Sequence, residues 1–149
     1  MNYELREMLP EDGAQVLQIF EEGIAGGNAT FDREVPTWEY WDKNHFSACR
    51  FVAEDDNNNV VAWAALKPVS NRECFSGVAE VSIYITNSAQ GKGLGKVLLQ
   101  KLIIESEKNG FWMLQSGIFP ENIASLRVHE SLGFRTVGHR EKIGQMNGV

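Results

Sequence analysis

Apolar and polar positions along the chain follow two rhythms. "YELREML" near the start has strand character, and "GVAEVSIYIT" in the middle alternates with a period of two, so each predicts a strand. Between them, "PEDGAQVLQIFEEGIA" has helical spacing, with Val16, Leu17, Ile19, Phe20 and Ile24 apolar and Pro10 near the first turn. "GGNATFDREVPT" reads as a loop, and Thr37 as the N-cap of a short helix in "TWEYWDKNHF". "CRFVAEDDNNNVVAWAALKPV" sets two apolar runs around a polar turn cluster, the pattern of a hairpin. "GLGKVLLQKLIIESEKNG" predicts a helix closed by Gly110, and "FWMLQSGIF" a strand. "PENIASLRVHESLGF" follows as a helix stopped at Gly133, and "FRTVGHREKIG" as a final strand region. Strands come first and then alternate with helices, which predicts a single α/β domain over residues 1–149 with a mixed sheet.

Charge narrows the function classes. A net charge of -6 and a pI near 5.1 argue against general nucleic-acid binding. An anionic ligand remains compatible, because a few backbone amides and lysines make a local positive patch. No apolar run is long enough to span a bilayer, and no membrane partner is expected. "MNYELREMLPED" lacks a basic start followed by an apolar stretch, so a cytoplasmic protein is expected, with Cys49 and Cys74 as free thiols. His45 and His139 share no ligand spacing with each other or with the cysteines, and no metal site is expected.

The glycine cluster "QGKGLGK" lies between the strand run and a helix. It is not a P-loop, because the sixth residue counted from Gly91 is Lys96 rather than glycine. The same lysine breaks a dinucleotide fingerprint. The physics still suits phosphate. Gly91, Gly93 and Gly95 let the backbone approach a ligand, the following helix offers unpaired N–H groups through Leu94, and Lys92 and Lys96 add charge. A tight strand-to-helix turn with no ligand would also use three glycines.

The context resolves this. "QGKGLG" fits Q/R-x-x-G-x-G/A, with Gln90, Gly93 and Gly95 in place, and resembles the coenzyme A loop of the GNAT superfamily of N-acetyltransferases. "NIASLRVHESLGF" resembles that superfamily's C-terminal signature N-x-x-A/S-x-x-x-Y/H-E-x-x-G-F, with Asn122, Ser125, His129, Glu130, Gly133 and Phe134 in register. The resemblance spans residues 80–134. It implies a central mixed, mostly antiparallel twisted sheet flanked by helices, with acetyl-CoA held at a strand-loop-helix site and no metal.

Histidine at 129, where many relatives carry tyrosine, resembles the phosphinothricin and methionine sulfoximine N-acetyltransferase branch. "NATFDREVPT" is similar to that branch's substrate-side loop, "EVSIYI" to its catalytic strand and "REKIGQMNG" to its C-terminal segment. The branch also implies a homodimer, and a last strand beyond the point where these 149 residues end.

Period two puts Glu80, Ser82 and Tyr84 on one strand face, and Ala79, Val81, Ile83 and Ile85 on the other. An acid inside an apolar strand is costly unless it has a partner or a job. By resemblance Glu80 is the general base and also meets the acceptor amine, beside Ser82. The backbone of Ile83, Tyr84 and Ile85 holds the acetyl-pantetheine arm, where a free amide stabilises the oxyanion. Asn122 is a good N-cap with Ser125 at the third helical position, and the family also uses Asn122 on the cofactor arm. His129, one turn past Ser125, is offered as an acid or proton relay, against the alternative of a helix-surface histidine. Ser131 is a further cofactor contact or a solvent-facing serine.

"SNRECF" matches the branch's substrate loop and makes Arg72 the candidate for an acceptor carboxylate, with Asn71 as neighbour. Phe31 and Trp63 are candidate pocket walls or plain packing. The expected reaction is acetyl transfer from acetyl-CoA to a small amino-acid-like amine. A polyamine or protein N-terminal acetyltransferase, and a coenzyme A-binding module without turnover, are the alternatives.

Overall fold

A computed structural model describes residues 2–142 and Gly144. Its centre is one sheet of five strands in the order β1-β2-β3-β4-β5: Glu4–Glu7, Phe51–Glu54, Val60–Pro68, Val78–Ile85 and Met113–Gln115. The first three pairings are antiparallel and β4–β5 is parallel. The central strand β3 is buried on both faces from Val60 to Leu66, which is why its sequence is an apolar run rather than an alternation.

Helices α1 (Gly13–Gly26) and α2 (Trp38–Lys43) cover one face, where Val16, Ile19, Phe20 and Trp41 pack on Val52, Trp63 and Ala65. On the other face, α3 (Leu94–Lys108) sets Leu94, Leu98, Leu99 and Leu102 against Ala62, Ala64, Leu66 and Val81. The last helix, α4 (Ile123–Ser131), packs beside α3 and adds Val128 to the same core. Local signals account for the helix ends. The Thr37 hydroxyl accepts from the Tyr40 N–H at 3.2 Å, and Gly110 and Gly133 take positive φ just past α3 and α4. The acid at Asp12 faces Arg6 instead of capping α1: both Nη atoms donate to its carboxylate at 2.8 Å and the Leu9 N–H at 2.7 Å, tying β1 to the start of α1.

Two strand expectations need correction. The "FWMLQSGIF" strand shortens to Met113–Gln115, and no strand forms among the described residues from 134 onward. A strand needs a ladder partner on at least one edge and an apolar face to bury. Val137 is 84% exposed, and among the described residues nothing pairs with it. The segment "REKIGQMNG" lies mostly outside the described residues. Among the described residues no helix is long and apolar enough to cross a membrane, and neither Cys49 nor Cys74 is in a disulfide.

Candidate active site

The site begins where β4 and β5 part. Their pairing covers only Val78–Glu80 against Met113–Gln115, while β4 runs on to Ile85. On its other side β4 stays paired with β3 along its length, and the Thr86 N–H donates to the Val61 carbonyl at 2.8 Å. An antiparallel ladder alternates strictly, so Tyr84, Ser82 and Glu80 direct their backbone groups to β3 while Ile85 and Ile83 direct theirs the other way. That other way is the edge β5 has left. The Ile85 carbonyl there accepts from Gln90 Nε2 at 3.3 Å. The N–H groups of Ile83 and Ile85 and the Ile83 carbonyl line an open edge.

The chain then turns through a 3-10 turn at Asn87–Ala89 into the glycine loop and α3. Gly91 and Gly93 have φ of +75° and +82°, the left-handed region that other residues enter only at a cost. Gly93 is the N-cap of a 15-residue helix, and no side chain caps it. The first N–H groups of α3 are therefore free to meet an anion. Leu94 contributes only backbone here, because its side chain is core. Lys96 is exposed, and Lys92 lines a cleft of about 360 Å3 with Tyr3, Asp55 and Ser88.

Helix α4 flanks the opening. Asn122 Oδ1 accepts from the Ser125 N–H at 3.2 Å, and its Nδ2 donates to the Asn28 carbonyl at 3.5 Å, joining α4 to the loop after α1. His129 is buried rather than on the helix surface. Its Nδ1 donates to the Ser125 carbonyl at 2.7 Å, which leaves Nε2 unprotonated, buried and without a partner among the described residues. Burial lowers its pKa, so the ring is neutral at pH 7. With Phe134 edge-on at 5.0 Å, His129 acts first as a packed clamp on α4. Ser131 is exposed and donates to the Val128 carbonyl at 2.8 Å.

On the α1 face, Glu80 and Ser82 are half-buried, and Lys67 stands directly across from Glu80 in the ladder. Tyr84 lies flat against Phe20 and Trp63, with ring centroids 5.0 Å and 4.9 Å away. Gly23 of α1 makes room for it, since a Cβ there would sit 2.7 Å from the ring. Burial pushes the Tyr84 hydroxyl up to about 12, against a hydrogen bond with Thr30 and together with the carboxylates of Asp32 and Glu80. The phenol therefore keeps its proton and sits between Glu80 and the α1–α2 loop.

Trp63 is wholly buried core and lines neither the cleft at Lys92 nor that at Lys67. Phe31 is exposed, with its ring tilted on Phe119 at 4.6 Å. Arg72 and Asn71 sit in the exposed β3–β4 loop, and the Arg72 guanidinium lies over Phe75 at 5.4 Å. Glu22 was not signalled by the sequence. Its carboxylate accepts from Thr86 Oγ1 at 2.7 and 2.9 Å and from the Asn87 N–H at 3.1 Å, pinning the approach to the glycine loop. On a helix it reads as an ordinary solvent-facing acid, and its partners lie 64 and 65 residues away.

Comparison with known proteins agrees with this fold. A Bacillus subtilis protein provisionally named a phosphinothricin acetyltransferase is 36% identical over 137 residues, covering 89% of this chain and 84% of its own. The L-methionine sulfoximine/L-methionine sulfone acetyltransferase of Salmonella typhimurium is 28% identical over 137 residues, 89% of this chain and 80% of its own. Among solved structures, a phosphinothricin acetyltransferase from Sinorhizobium meliloti in complex with AcCoA superposes with a TM-score of 0.89 at 26% identity, covering 100% of this chain and 83% of that one. The sequence pattern of the Acetyltransferase (GNAT) family matches residues 15–134, and the chain belongs to that family.

Proposed function

We propose that the protein transfers the acetyl group of acetyl-CoA to the amine of a small amino-acid-like acceptor of the phosphinothricin or methionine sulfoximine type. The observation that carries this is the open β4 edge at Ile83–Ile85, which leads directly into the uncapped N-terminus of α3. An extended arm fits the edge by main-chain hydrogen bonds, and a pyrophosphate fits the helix start. The names and acetyl-CoA complex of the relatives support the donor and the acceptor class.

The amine of a free amino acid titrates well above neutrality, so it arrives mostly protonated at neutral pH. Glu80 takes that proton. The free lone pair attacks the thioester carbonyl, and a β4 N–H facing the open edge donates to the oxyanion. The C–S bond then breaks, and the thiolate of coenzyme A leaves and takes up a proton. His129 is a poor source of that proton, because its one N–H is committed to the Ser125 carbonyl. We assign it to positioning α4 and Asn122.

The test is Glu80→Gln with methionine sulfoximine as acceptor. Loss of a general base lowers kcat by about 10²–10⁴-fold. Affinity for coenzyme A, read by calorimetry, stays within about two-fold, because Glu80 points to the α1 face and the cofactor edge is on the other side of the backbone. Equal loss of both would show that Glu80 supports the fold of the strand rather than the chemistry.

A further inference from the structure

On the α1 face a cleft of about 290 Å3 lies between α2, the α1–α2 loop and the end of β3, just under the size range of small-molecule sites, about 300–1,000 Å3. Lys67 lines one wall, and Asp32, Glu34, Tyr40 and Asn44 are among the polar residues that line the others. Three facts single out Lys67. First, the alternation that sends Thr86 toward β3 makes Lys67 and Glu80 a hydrogen-bonded cross-strand pair, with both side chains on the α1 face. Second, no carboxylate among the described residues lies within 4 Å of its ammonium: the ion pairs found there involve Arg6, Arg50, Lys101 and Lys108. Third, it is half-buried, so its charge acts through less water than that of the exposed Arg72. The positive charge of Lys67 also reaches the buried His45 ring, whose pKa it helps to lower.

The cleft thus presents one cation, Lys67, and two carboxylates, Asp32 and Glu34, and Glu80 stands across the ladder from the cation. That is the complement of a zwitterion. An α-amino acid carries its amine and its carboxylate on one carbon. If the amine is at Glu80, the carboxylate must fall within reach of a neighbouring side chain on the same face, and a cross-strand partner is the nearest neighbour a sheet provides.

We propose that Lys67 receives the carboxylate of the acceptor and so makes the enzyme selective for amino acids over plain amines. This rests on the acetyltransferase reading given above. Arg72, five residues further on, lies in an exposed loop and does not line the cleft, and its guanidinium is already stacked on Phe75.

The experiment compares methionine sulfoximine with its decarboxylated amine in a thiol-release assay, for the unmodified protein, Lys67→Met, Lys67→Arg and Arg72→Ala. The unmodified protein is expected to prefer the amino acid. Lys67→Met should raise KM for the amino acid by about 10- to 100-fold, the loss of one charge-assisted contact. It should leave KM for acetyl-CoA and all constants for the decarboxylated amine unchanged, and so abolish the preference. Lys67→Arg should restore most of it. Thermal unfolding of each variant excludes a folding defect as the source. Equal loss on both acceptors, or a preference that survives Lys67→Met and vanishes in Arg72→Ala, would overturn the assignment while leaving the acetyltransferase reading intact. Failure of the unmodified protein to acetylate any amino acid would overturn both.

Discussion

Two glycines two residues apart should respond to alanine in opposite ways. Gly93 has φ +82°, and a Cβ built on it meets nothing within 4 Å. The cost of Gly93→Ala is therefore backbone strain alone, about 1–2 kcal/mol for one residue held left-handed. For a domain of this length that lowers Tm by about 2–8 °C. The protein can relieve the strain only by moving the loop, which misdirects the N–H groups at the start of α3. Gly95 is helical, and its Cβ would lie 3.5 Å from Ile85 Cδ1 and 3.9 Å from Val128 Cγ2, ordinary packing distances. Gly95→Ala relieves the entropic penalty of a helical glycine, up to about 1 kcal/mol. The variant should melt at or above the parent temperature.

Thermal unfolding with and without coenzyme A reads both effects. Gly93→Ala should lose stability and most of the ligand-induced rise in Tm. Gly95→Ala should keep that rise, as the tolerance for alanine at this place in the loop pattern implies. Gly91, at φ +75°, should behave like Gly93 although the pattern leaves its position free. Equal damage from all three substitutions would refute the argument from φ. It would mean that ligand contact at the Cα atoms, rather than backbone conformation, demands glycine.

Glu22→Ala removes hydrogen bonds to a charged group that, at a half-buried position, are worth about 1–2 kcal/mol; the predicted result is a rise in KM for acetyl-CoA with kcat little changed. His45 is buried, and burial, then the charges of Lys67 and Arg50, lower its pKa to about 4 against 6.5 when unfolded, although its Nδ1–H bond to the Trp41 carbonyl opposes this. The unfolded chain therefore binds the extra proton between pH 6.5 and 4. This contribution is intact above pH 6.5 and is lost as pH falls to about 4, by up to about 3 kcal/mol. Urea midpoints across that window should fall less steeply for His45→Gln than for the parent, and parallel profiles would sink the assignment.

What was legible in the sequence is what the chain builds from neighbours. Thr37 and Asn122 cap helices three residues away, and Gly110 and Gly133 end helices that finish just before them. The cofactor side is local too. The open edge at Ile83–Ile85, the turn and the start of α3 form one continuous stretch of about a dozen residues, so a short pattern captures it whole. The shortening of the "FWMLQSGIF" strand to Met113–Gln115 and the lack of a strand among the described residues from 134 onward were not legible, because a ladder depends on a partner that the local pattern does not contain.

The acceptor side is assembled differently. In the acceptor site proposed above, Asp32 from the α1–α2 loop, Tyr40 from α2 and Lys67 from the end of β3 line one cleft, and Glu80 of β4 stands across the ladder from Lys67. "LKPV" reads as the polar end of a strand, and nothing in it signals that pairing register will set Lys67 opposite Glu80. Residues brought together only by register leave no spacing to read. The two halves of the site are also separable in chemistry. The cofactor half works through backbone groups, which most substitutions leave in place. The acceptor half works through side chains on independent elements, each replaceable without moving the others. On this proposal, acceptor selectivity changes through residues 28–36 and 67–72 while acetyl-CoA binding at 83–96 stays constant.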